Sequence, residues 1–328
     1  MPSGGRIPGG VTASSLLACP RCRAPWVGGD RCGGCGLEAA TRGGVLDLGW
    51  RPGDPDPVTA QVRAFYEERP FPDYRADDDW GSLLRRGRAS GFTRELDDAL
   101  PPTARVVELG CGTGQLGLFL ALSGRTVLGV DLTLASLQVA ESFRAAHGID
   151  TAQLVRGDLF HPPVAPESAD LVVCSGVLHH TPDPEAGFRA AVSLARPGGF
   201  VIVGLYNRYG RALLPLLRRR HAAQATDRRG LAWYADQHEH PHESRHTVGE
   251  VLGWFERAGL RYCAARPGVC PGLPPDPLFG PGDPGSAVGR LVAQLGWMGR
   301  AADGGLFVLV GRRPRALRDP TAARPEGS

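Results

Sequence analysis

Four cysteines near the start of the chain have the spacing of a metal site. Cys19 and Cys22 form one C-x2-C pair, Cys32 and Cys35 form a second, and nine residues separate the pairs. Four thiolates presented by two tight turns can bind one zinc ion tetrahedrally. The same residues also allow two disulfide bonds, which a reducing cytoplasm disfavours. We predict a structural zinc ribbon, because four protein ligands leave no coordination position open for a substrate.

A glycine-rich loop with a nearby carboxylate forms a second group of residues suited to chemistry. Residues 105–109 have the apolar composition of a buried strand and lead into Gly110, Gly112 and Gly114. Alternate glycines let the backbone fold closely beneath a ligand, and the N–H groups of the following helix favour a negatively charged group. Asp131 lies 21 positions after Gly110, where a carboxylate can accept hydrogen bonds from both hydroxyls of a ribose. These residues allow either a nicotinamide dinucleotide or S-adenosylmethionine.

The motifs that follow make the pattern more specific. Over residues 104–205 the chain resembles the class I S-adenosylmethionine-dependent methyltransferases, because five segments occur in that family's order. They are Glu-Leu-Gly-Cys-Gly-Thr-Gly (108–114), the strand-ending Asp131, Arg-Gly-Asp-Leu (156–159), Ala-Asp-Leu-Val-Val-Cys-Ser-Gly-Val-Leu-His-His (169–180) and Arg-Pro-Gly-Gly-Phe (196–200). The resemblance implies an α/β, Rossmann-like sheet with helices on both faces, an enzyme that transfers methyl groups, and S-adenosylmethionine as its cofactor.

The resemblance also implies a set of cofactor-binding residues. They are, in chain order, Glu108, Gly110, Gly112, Gly114, Asp131, Leu132, Asp158, Leu159 and Ser175. In the family's layout Asp131 would hold the ribose, with Leu132 against the adenine. Asp158 would accept a hydrogen bond from the adenine amino group, and Leu159 would pack on the ring. Glu108 would lie close to the cofactor's amino group, the glycines would line the methionine and ribose, and the serine would face the methionine carboxyl or the substrate entrance.

The residues after the strand at 170–175 bear on the methyl acceptor. Amino- and adenine-directed methyltransferases of this class carry Asn or Asp, Pro-Pro and an aromatic residue there, whereas this chain has Ser-Gly-Val-Leu-His-His, which resembles the small-molecule group. We therefore predict a small-molecule acceptor. His180 or its neighbour His179 is a candidate general base, since neutral imidazole accepts a proton near pH 7; a hydrogen-bonded structural pair is the alternative. Tyr206 faces the same cleft in the family's layout and could shape the pocket or take part in catalysis.

Two other functions compete with this interpretation. A family of ribosomal RNA guanine methyltransferases also has an N-terminal four-cysteine module, and seven arginines between positions 208 and 229 could bind phosphates. The alternative is therefore an RNA base methyltransferase. Four aromatic residues instead favour an apolar small-molecule pocket, namely Phe71, Tyr74, Trp233 and Tyr234. A third alternative is a non-catalytic binding protein with a vestigial methyltransferase fold, which the intact glycine loop and Asp131 disfavour.

The composition excludes several chemistries. All 37 basic side chains are arginine, which excludes a lysine Schiff base, a P-loop lysine and a lysine general base. The formal net charge of +3 provides no overall positive field for nucleic acid. Because no apolar run approaches the roughly 18 residues of a membrane-spanning helix, we expect a cytoplasmic protein without a membrane partner. Nothing in the sequence indicates an oligomeric state.

Apolar periodicity predicts the elements that position these residues. Strands are predicted at 43–48, 105–109, 126–131, 152–155, 170–175, 200–205 and 305–310. Helices are predicted from 58 onward, at 80–100, 114–122, 134–147 and 185–194, and at 248–255 behind a Thr247/Glu250 capping box. Strands that alternate with helices of this length form a parallel sheet covered on both faces.

The domain organisation follows from the breaks between these elements. We predict an N-terminal segment with the zinc ribbon (1–50), a proline-rich linker (51–57), a methyltransferase domain (58–313) and a disordered tail (314–328). Within the large domain we predict a core (104–205), a cap (206–246) and a Pro/Gly-rich loop (266–285). The histidines between 238 and 246 have neither a helical i, i+4 spacing nor that of a zinc knuckle, so we expect them to form a pocket or interface loop.

Overall fold

The computed structural model of the protein describes residues 12–75, 77–299 and 304–315. Residues 1–11 of the predicted N-terminal segment and residues 316–328 of the predicted tail lie outside this range. The strands are β1 (Ala40–Arg42), β2 (Val45–Asp47), β3 (Arg105–Leu109), β4 (Thr126–Asp131), β5 (Ala152–Arg156), β6 (Ala169–Ser175), β7 (Ala195–Tyr206), β8 (Arg261–Arg266) and β9 (Leu306–Arg312). The α-helices are α1 (Pro57–Glu68), α2 (Trp80–Ala89), α3 (Gly91–Ala99), α4 (Gln115–Ala121), α5 (Leu134–Ala146), α6 (Pro184–Leu194), α7 (Leu214–Gln224), α8 (Arg228–His238), α9 (Val248–Arg257) and α10 (Ala287–Gly296).

The described strands form one nine-stranded sheet with the order β1-β2-β5-β4-β3-β6-β7-β9-β8. The strands from β2 through β5, β4, β3 and β6 to β7 run parallel, and β9 lies antiparallel between β7 and β8. From β3 the chain passes to β4 and β5 on one side and then to β6 and β7 on the other, so the strand order reverses at the carboxyl end of β3. Open α/β sheets bind their ligands at such a point. The predicted Rossmann-like α/β fold is confirmed.

The central strands are buried on both faces, as expected of a parallel sheet between helical layers. Along β3, successive side chains point to opposite faces. Val106 belongs to the same buried apolar cluster as Leu118 and Phe119 of α4. Val107 belongs to a second cluster, which contains Phe188 of α6. Because the side chains of β3 alternate between the two faces of the sheet, apolar residues of this strand contribute to the packing of helices on both faces, and the strand that leads into the glycine loop is held firmly.

Most predicted elements are confirmed with ends shifted by one or two residues. The prediction of a single helix over 80–100 is wrong, because the segment forms α2 and α3 with a break at Ser90. Ser90 has an extended backbone, and its hydroxyl oxygen accepts a hydrogen bond from the N–H of Thr93 at 3.4 Å. Apolar periodicity continues through such a break, so the pattern does not reveal it. β7 begins at Ala195, five residues before the predicted start.

The four-cysteine segment continues directly into the large sheet. β1 and β2 form a hairpin, and β2 pairs in parallel with β5, with Leu46 opposite Val155 and Asp47 opposite Arg156. The predicted boundary at residue 50 stays a prediction, but the two strands before it belong to the same sheet as the core.

The predicted cap region contains α7, α8 and the loop that follows them. Arg211 anchors this region, because its fully buried guanidinium donates to a Glu243 oxygen at 2.5 Å, to Gln237 Oε1 at 2.6 Å and to the Gly304 carbonyl at 2.7 Å. In the part of the chain that the structure describes, no helix has both the length and the apolar character needed to cross a membrane.

Candidate active site and metal centre

A cavity of about 570 Å³ opens at the carboxyl ends of β3, β4 and β6. Eight of the nine predicted cofactor residues line it, namely Glu108, Gly110, Gly112, Asp131, Leu132, Asp158, Leu159 and Ser175. The ninth, Gly114, packs beneath the loop, where an added Cβ would lie 3.2 Å from the Cβ of Ala140. Gly114 has φ +73°, a left-handed conformation that favours glycine.

The segment before α2 closes over the glycine loop. A Cβ at Gly112 would overlap the carbonyl oxygen of Phe71, and Gly112 has φ +52°. The backbone N–H of Thr113 donates to the same carbonyl at 3.3 Å, and its hydroxyl donates to the carbonyl of Pro72. Gln115 Nε2 donates to the carbonyl of Asp73 at 3.1 Å. Residues 71–73 therefore fix the loop at which the cavity begins.

Asp131 is oriented before any ligand binds. One carboxylate oxygen accepts from the N–H of Gly112 at 2.8 Å, and the other accepts from the N–H and the hydroxyl of Thr133 at 2.8 and 2.7 Å. Burial raises the pKa of Asp131 above its ordinary value, and these hydrogen bonds oppose that shift. The carboxylate faces the cavity with its geometry fixed.

Glu108, which lies in β3 just before the glycine loop, has a strongly raised pKa. Its Oε2 accepts a hydrogen bond from the N–H of Gly117 at 2.9 Å. Burial raises the pKa of Glu108 to about 8, with the nearby charge of Asp131 adding to the shift. A positively charged group next to Glu108 would favour its ionised form.

Asp158 combines an ion pair with a backbone hydrogen bond. One oxygen pairs with the guanidinium of Arg51, and the other accepts from the N–H of Phe160 at 2.9 Å. Both side chains of the ion pair are largely buried, with 17% of Arg51 and 5% of Asp158 exposed. Arg51 was not among the predicted site residues, and its distance in sequence from Asp158 explains why.

The histidine pair after β6 divides into two different environments. His180 lines the cavity, and its Nδ1 donates to the carbonyl of His242 at 2.8 Å, so the neutral ring carries its lone pair on Nε2. That Nε2 is buried without a hydrogen-bond partner among the described residues. Burial lowers the pKa of His180 to about 3, so the ring is neutral near pH 7. His179 does not line the cavity, and its ring stacks on Tyr206 at 3.8 Å.

Tyr206 belongs to a hydrogen-bonded group around a buried carboxylate. Its hydroxyl donates to Asp236 Oδ2 at 3.1 Å, and the hydroxyl of Tyr66 donates to Asp236 Oδ1 at 2.6 Å. Tyr206, Tyr66 and Asp236 all line the cavity. Burial raises the pKa of Tyr206 well above its ordinary value, so it remains a neutral phenol. Tyr206 therefore shapes the wall beside His180.

Two of the four aromatic residues predicted to favour an apolar pocket line the cavity, and two do not. Phe71 and Trp233 line the cavity. Tyr74 and Tyr234 do not, because Tyr74 stacks on Phe143 at 4.4 Å and Tyr234 packs against His238 at 5.0 Å. Trp233 and Tyr234 are adjacent in α8, and the sequence alone does not show which of two neighbouring aromatic side chains faces the cavity.

Arg86 was missed by the sequence analysis. It lines the cavity from α2, with one nitrogen paired to Asp78. Its Nε and Nη2 are buried without hydrogen-bond partners among the described residues. Two parallel donors of a guanidinium suit a carboxylate. Because every basic residue other than histidine in this chain is an arginine, the residue type of Arg86 does not single it out as a cavity residue.

The arginine run that suggested RNA binding is not one continuous surface. Arg211 is buried and stacks over the ring of Tyr206 at 3.6 Å, and Arg229 lines the cavity. The triplet at 218–220 is exposed on α7. RNA binding stays a prediction, which rests on the four-cysteine module and on this triplet together with the exposed Arg208 and Arg228.

The four predicted zinc ligands come together. The Sγ atoms of all four cysteines lie within 4.8 Å of one another, and the Cys19–Cys35 and Cys22–Cys32 pairs are 3.6 Å apart. Sulfurs bound to one tetrahedral zinc at about 2.3 Å are about 3.8 Å from each other. Backbone hydrogen bonds from Cys35 and Gly34 lower the pKa of the Cys32 thiol to about 7, whereas burial raises the pKa of the Cys19 thiol to about 12, so a bound cation is needed to hold all four cysteines as thiolates. The four residues therefore fit a zinc ion.

The histidines of the 238–246 segment take another role. His240 stacks on His180 at 3.5 Å, and its Nδ1 donates to the carbonyl of His242 at 2.6 Å. Of the residues whose positions are described, the four cysteines are the one group of three or more Cys, His, Asp or Glu side chains close enough to hold a metal ion. The segment thus contributes to the wall around His180, which agrees with the predicted pocket loop.

Comparison with known proteins identifies the core. Residues 107–203 match a family described as "Methyltransferase domain". The chain contains a methyltransferase domain. This domain carries the glycine loop, Asp131, Asp158 and His180 described above.

Two relatives named ubiquinone biosynthesis O-methyltransferase are similar to part of the chain. The one from Serratia proteamaculans is 30% identical over 156 residues, which cover 48% of this chain and 61% of the relative. The one from Chromobacterium violaceum is 38% identical over 112 residues, which cover 34% of this chain and 47% of the relative. The chain thus spans less than two thirds of either relative. A structure of magnesium protoporphyrin IX methyltransferase from Synechocystis with bound SAM is 16% identical, with a TM-score of 0.48 over 80% of this chain and 100% of that one.

The buried histidines make the stability of the methyltransferase domain depend on pH. Burial lowers the pKa of both His180 and His240 from 6.5 to about 3 in the folded protein. The unfolded chain therefore binds more protons than the folded one between about pH 3 and 6.5, and stability is lost as the pH falls through this window. We expect each histidine to lower the unfolding free energy by about 1.4 kcal/mol per pH unit there.

Urea unfolding at pH 7, 6, 5 and 4 measures this slope. His180→Asn should reduce it by the contribution of one histidine, because asparagine binds no proton in this range. Equal slopes for wild type and His180→Asn would show that His180 is not held neutral by burial.

Proposed function

We propose that the protein transfers a methyl group from S-adenosylmethionine to a hydroxyl oxygen of a small-molecule acceptor. The observation that carries this proposal is the lone pair of His180 Nε2, which is buried and unpartnered in the wall of the cavity lined by the predicted cofactor residues. The similarity to O-methyltransferases supports the choice of oxygen as the acceptor atom.

Each candidate cofactor residue suits a different part of S-adenosylmethionine. The fixed carboxylate of Asp131 suits the two ribose hydroxyls, and that of Asp158 suits the adenine amino group. Glu108 provides a buried carboxyl for a positively charged ammonium group. The two free donors of Arg86 suit the methionine carboxylate. Together these residues match the charges at both ends of S-adenosylmethionine, so the donor set fits the cofactor.

The cofactor supplies a methyl group activated on a sulfonium. His180 Nε2 would accept a hydrogen bond from the acceptor hydroxyl and so orient an oxygen lone pair toward that methyl group. Transfer of the methyl group from sulfur to that oxygen would leave the hydroxyl strongly acidic, and Nε2, which is unprotonated near pH 7, would take its proton. The carbonyl of His242 holds the ring in the required tautomer.

The proposal is tested with hydroxylated aromatic acceptors and isotopically labelled S-adenosylmethionine. We expect wild type to label at least one acceptor on oxygen, and His180→Asn to lower kcat about 100- to 10,000-fold with little change in cofactor affinity. His242→Ala is a matched control, because it removes a side chain but keeps the carbonyl that His180 contacts. A His180→Asn variant with wild-type kcat, or methylation on nitrogen or carbon, would refute the proposed chemistry.

A further inference from the structure

The four-cysteine segment is attached to the cofactor side of the sheet through β2. The N–H of Leu48 donates to the carbonyl of Arg156 at 2.9 Å, and Arg156 pairs with Asp47 of β2 at 2.8 Å. The same arginine donates through Nε to the carbonyl of Leu132 at 3.1 Å. Since Leu132 lines the cavity, this chain of contacts leads from the segment to the predicted adenine site.

The segment also holds the loop after β5 in place. The N–H of Ala18, next to the first cysteine, donates to the carbonyl of Pro163 at 3.2 Å. Arg23, next to the second cysteine, donates to the carbonyls of Pro162 and Val164 at 2.8 and 3.0 Å. Three donors beside the cysteine pair therefore fix a loop that begins at the cavity wall with residues 157–160.

Arg51 makes the most direct connection. It follows the four-cysteine segment in sequence and forms a largely buried ion pair with Asp158, and it does not itself line the cavity. The guanidinium of Arg51 pairs with one carboxylate oxygen of Asp158, and the N–H of Phe160 donates to the other. Each oxygen keeps a further lone pair that can accept a hydrogen bond. Arg51 thus acts as a positioning residue behind Asp158.

We propose that the zinc ribbon, through Arg51, positions the Asp158 carboxylate that recognises the adenine amino group, so that metal binding and cofactor binding strengthen each other. The inference rests on the proposed function, because it requires S-adenosylmethionine in the cavity. Without metal the two cysteine pairs are free to separate, and the donors at Ala18 and Arg23 lose their fixed positions. Coupling between two binding sites is reciprocal, so the cofactor raises metal affinity by the factor by which metal raises cofactor affinity.

The first experiment measures cofactor affinity in zinc-loaded protein. Calorimetry with S-adenosylhomocysteine and with S-inosylhomocysteine, in which a carbonyl replaces the adenine amino group, compares wild type with Arg51→Ala. We expect Arg51→Ala to bind S-adenosylhomocysteine about 5- to 30-fold more weakly and to lose part of its preference over the inosine analogue. Arg31→Ala is the control for loss of an arginine that does not contact the cofactor side of the sheet, since Arg31 lies between the two cysteine pairs with 65% of its side chain exposed and pairs with Glu38. It should bind like wild type.

The second experiment measures zinc affinity by equilibrium competition with a chelator, with and without saturating S-adenosylhomocysteine. The ligand should raise zinc affinity in wild type and in Arg31→Ala, and have little effect in Arg51→Ala. Zinc content of one per chain in every variant shows that the ribbon is folded, and Arg51→Gln replaces Arg51→Ala should the latter unfold.

Wild-type cofactor affinity in Arg51→Ala, or no effect of S-adenosylhomocysteine on zinc affinity in wild type, would overturn the coupling and leave the proposed function intact. Failure of wild type to bind S-adenosylhomocysteine would overturn both.

Discussion

Replacing Asp131 with alanine is expected to weaken binding of S-adenosylhomocysteine about 30- to 150-fold, equivalent to about 2–3 kcal/mol. The carboxylate is already held by the N–H groups of Gly112 and Thr133, so the ribose hydroxyls meet an acceptor with no reorientation to undergo. Removing it costs two hydrogen bonds to a charged group. It also leaves the Gly112 N–H without its acceptor at the point where the cofactor would pass.

Calorimetry of purified variants measures the effect of Asp131→Ala. Asp131→Asn keeps the shape but places an NH2 group opposite one of the two N–H donors, so we expect an intermediate loss. Asp150→Ala is a control for removal of an acid, because its side chain is 93% exposed in the turn after α5. Unchanged affinity in Asp131→Ala, with circular dichroism showing a folded protein, would remove Asp131 from the cofactor site.

We expect the stability of the protein to depend on a metal ion held by the four cysteines. Cys19 and Cys32 are buried in the same apolar cluster as Trp26 and Val164, which joins the ribbon to the core. Without a metal ion, the four cysteine thiolates would place like charges next to one another in a partly buried site. We expect Cys32→Ser to lower the unfolding free energy by about 3–5 kcal/mol and Tm by about 4–7 °C.

Elemental analysis and thermal unfolding test this expectation. Wild type should contain one zinc per chain, and Cys32→Ser should contain less and unfold earlier. Cys270→Ser is the matched control, since Cys270 is a half-buried cysteine outside the cluster. A metal-free wild type with no reactive thiols at the four positions would favour the two disulfides over zinc, and a Cys32→Ser variant with wild-type Tm would show that the ribbon adds no stability.

The parts of the site that lie close together in sequence could be predicted. The glycine loop and the four cysteines are local patterns, because their functional groups lie in tight turns, and Asp131 is marked by its place at the end of the next strand after the loop. The parallel sheet order also places the ends of β3, β4 and β6 side by side, so Asp131 and Ser175 could be expected at one cavity.

Residues that act through long-range contacts could not be predicted. Arg51 reaches Asp158 across 107 positions and His242 reaches His180 across 62, and neither pairing leaves a local pattern in the sequence. The choice between His180 and His179 was open for the same reason. Two adjacent residues in a short 3-10 helix point to different sides, and the packing of Tyr206 and His240 decides which of them faces the cavity.

Calorimetric titration of the wild-type protein with S-adenosylmethionine tests the central claim most directly, with nicotinamide adenine dinucleotide as the competing ligand. The geometry of Asp131, Asp158, Glu108 and Arg86 predicts binding of one S-adenosylmethionine per chain with Kd on the order of 1–50 µM, and no measurable binding of the dinucleotide. Absence of S-adenosylmethionine binding by zinc-loaded, folded protein, or tighter binding of the dinucleotide, would contradict the proposed function.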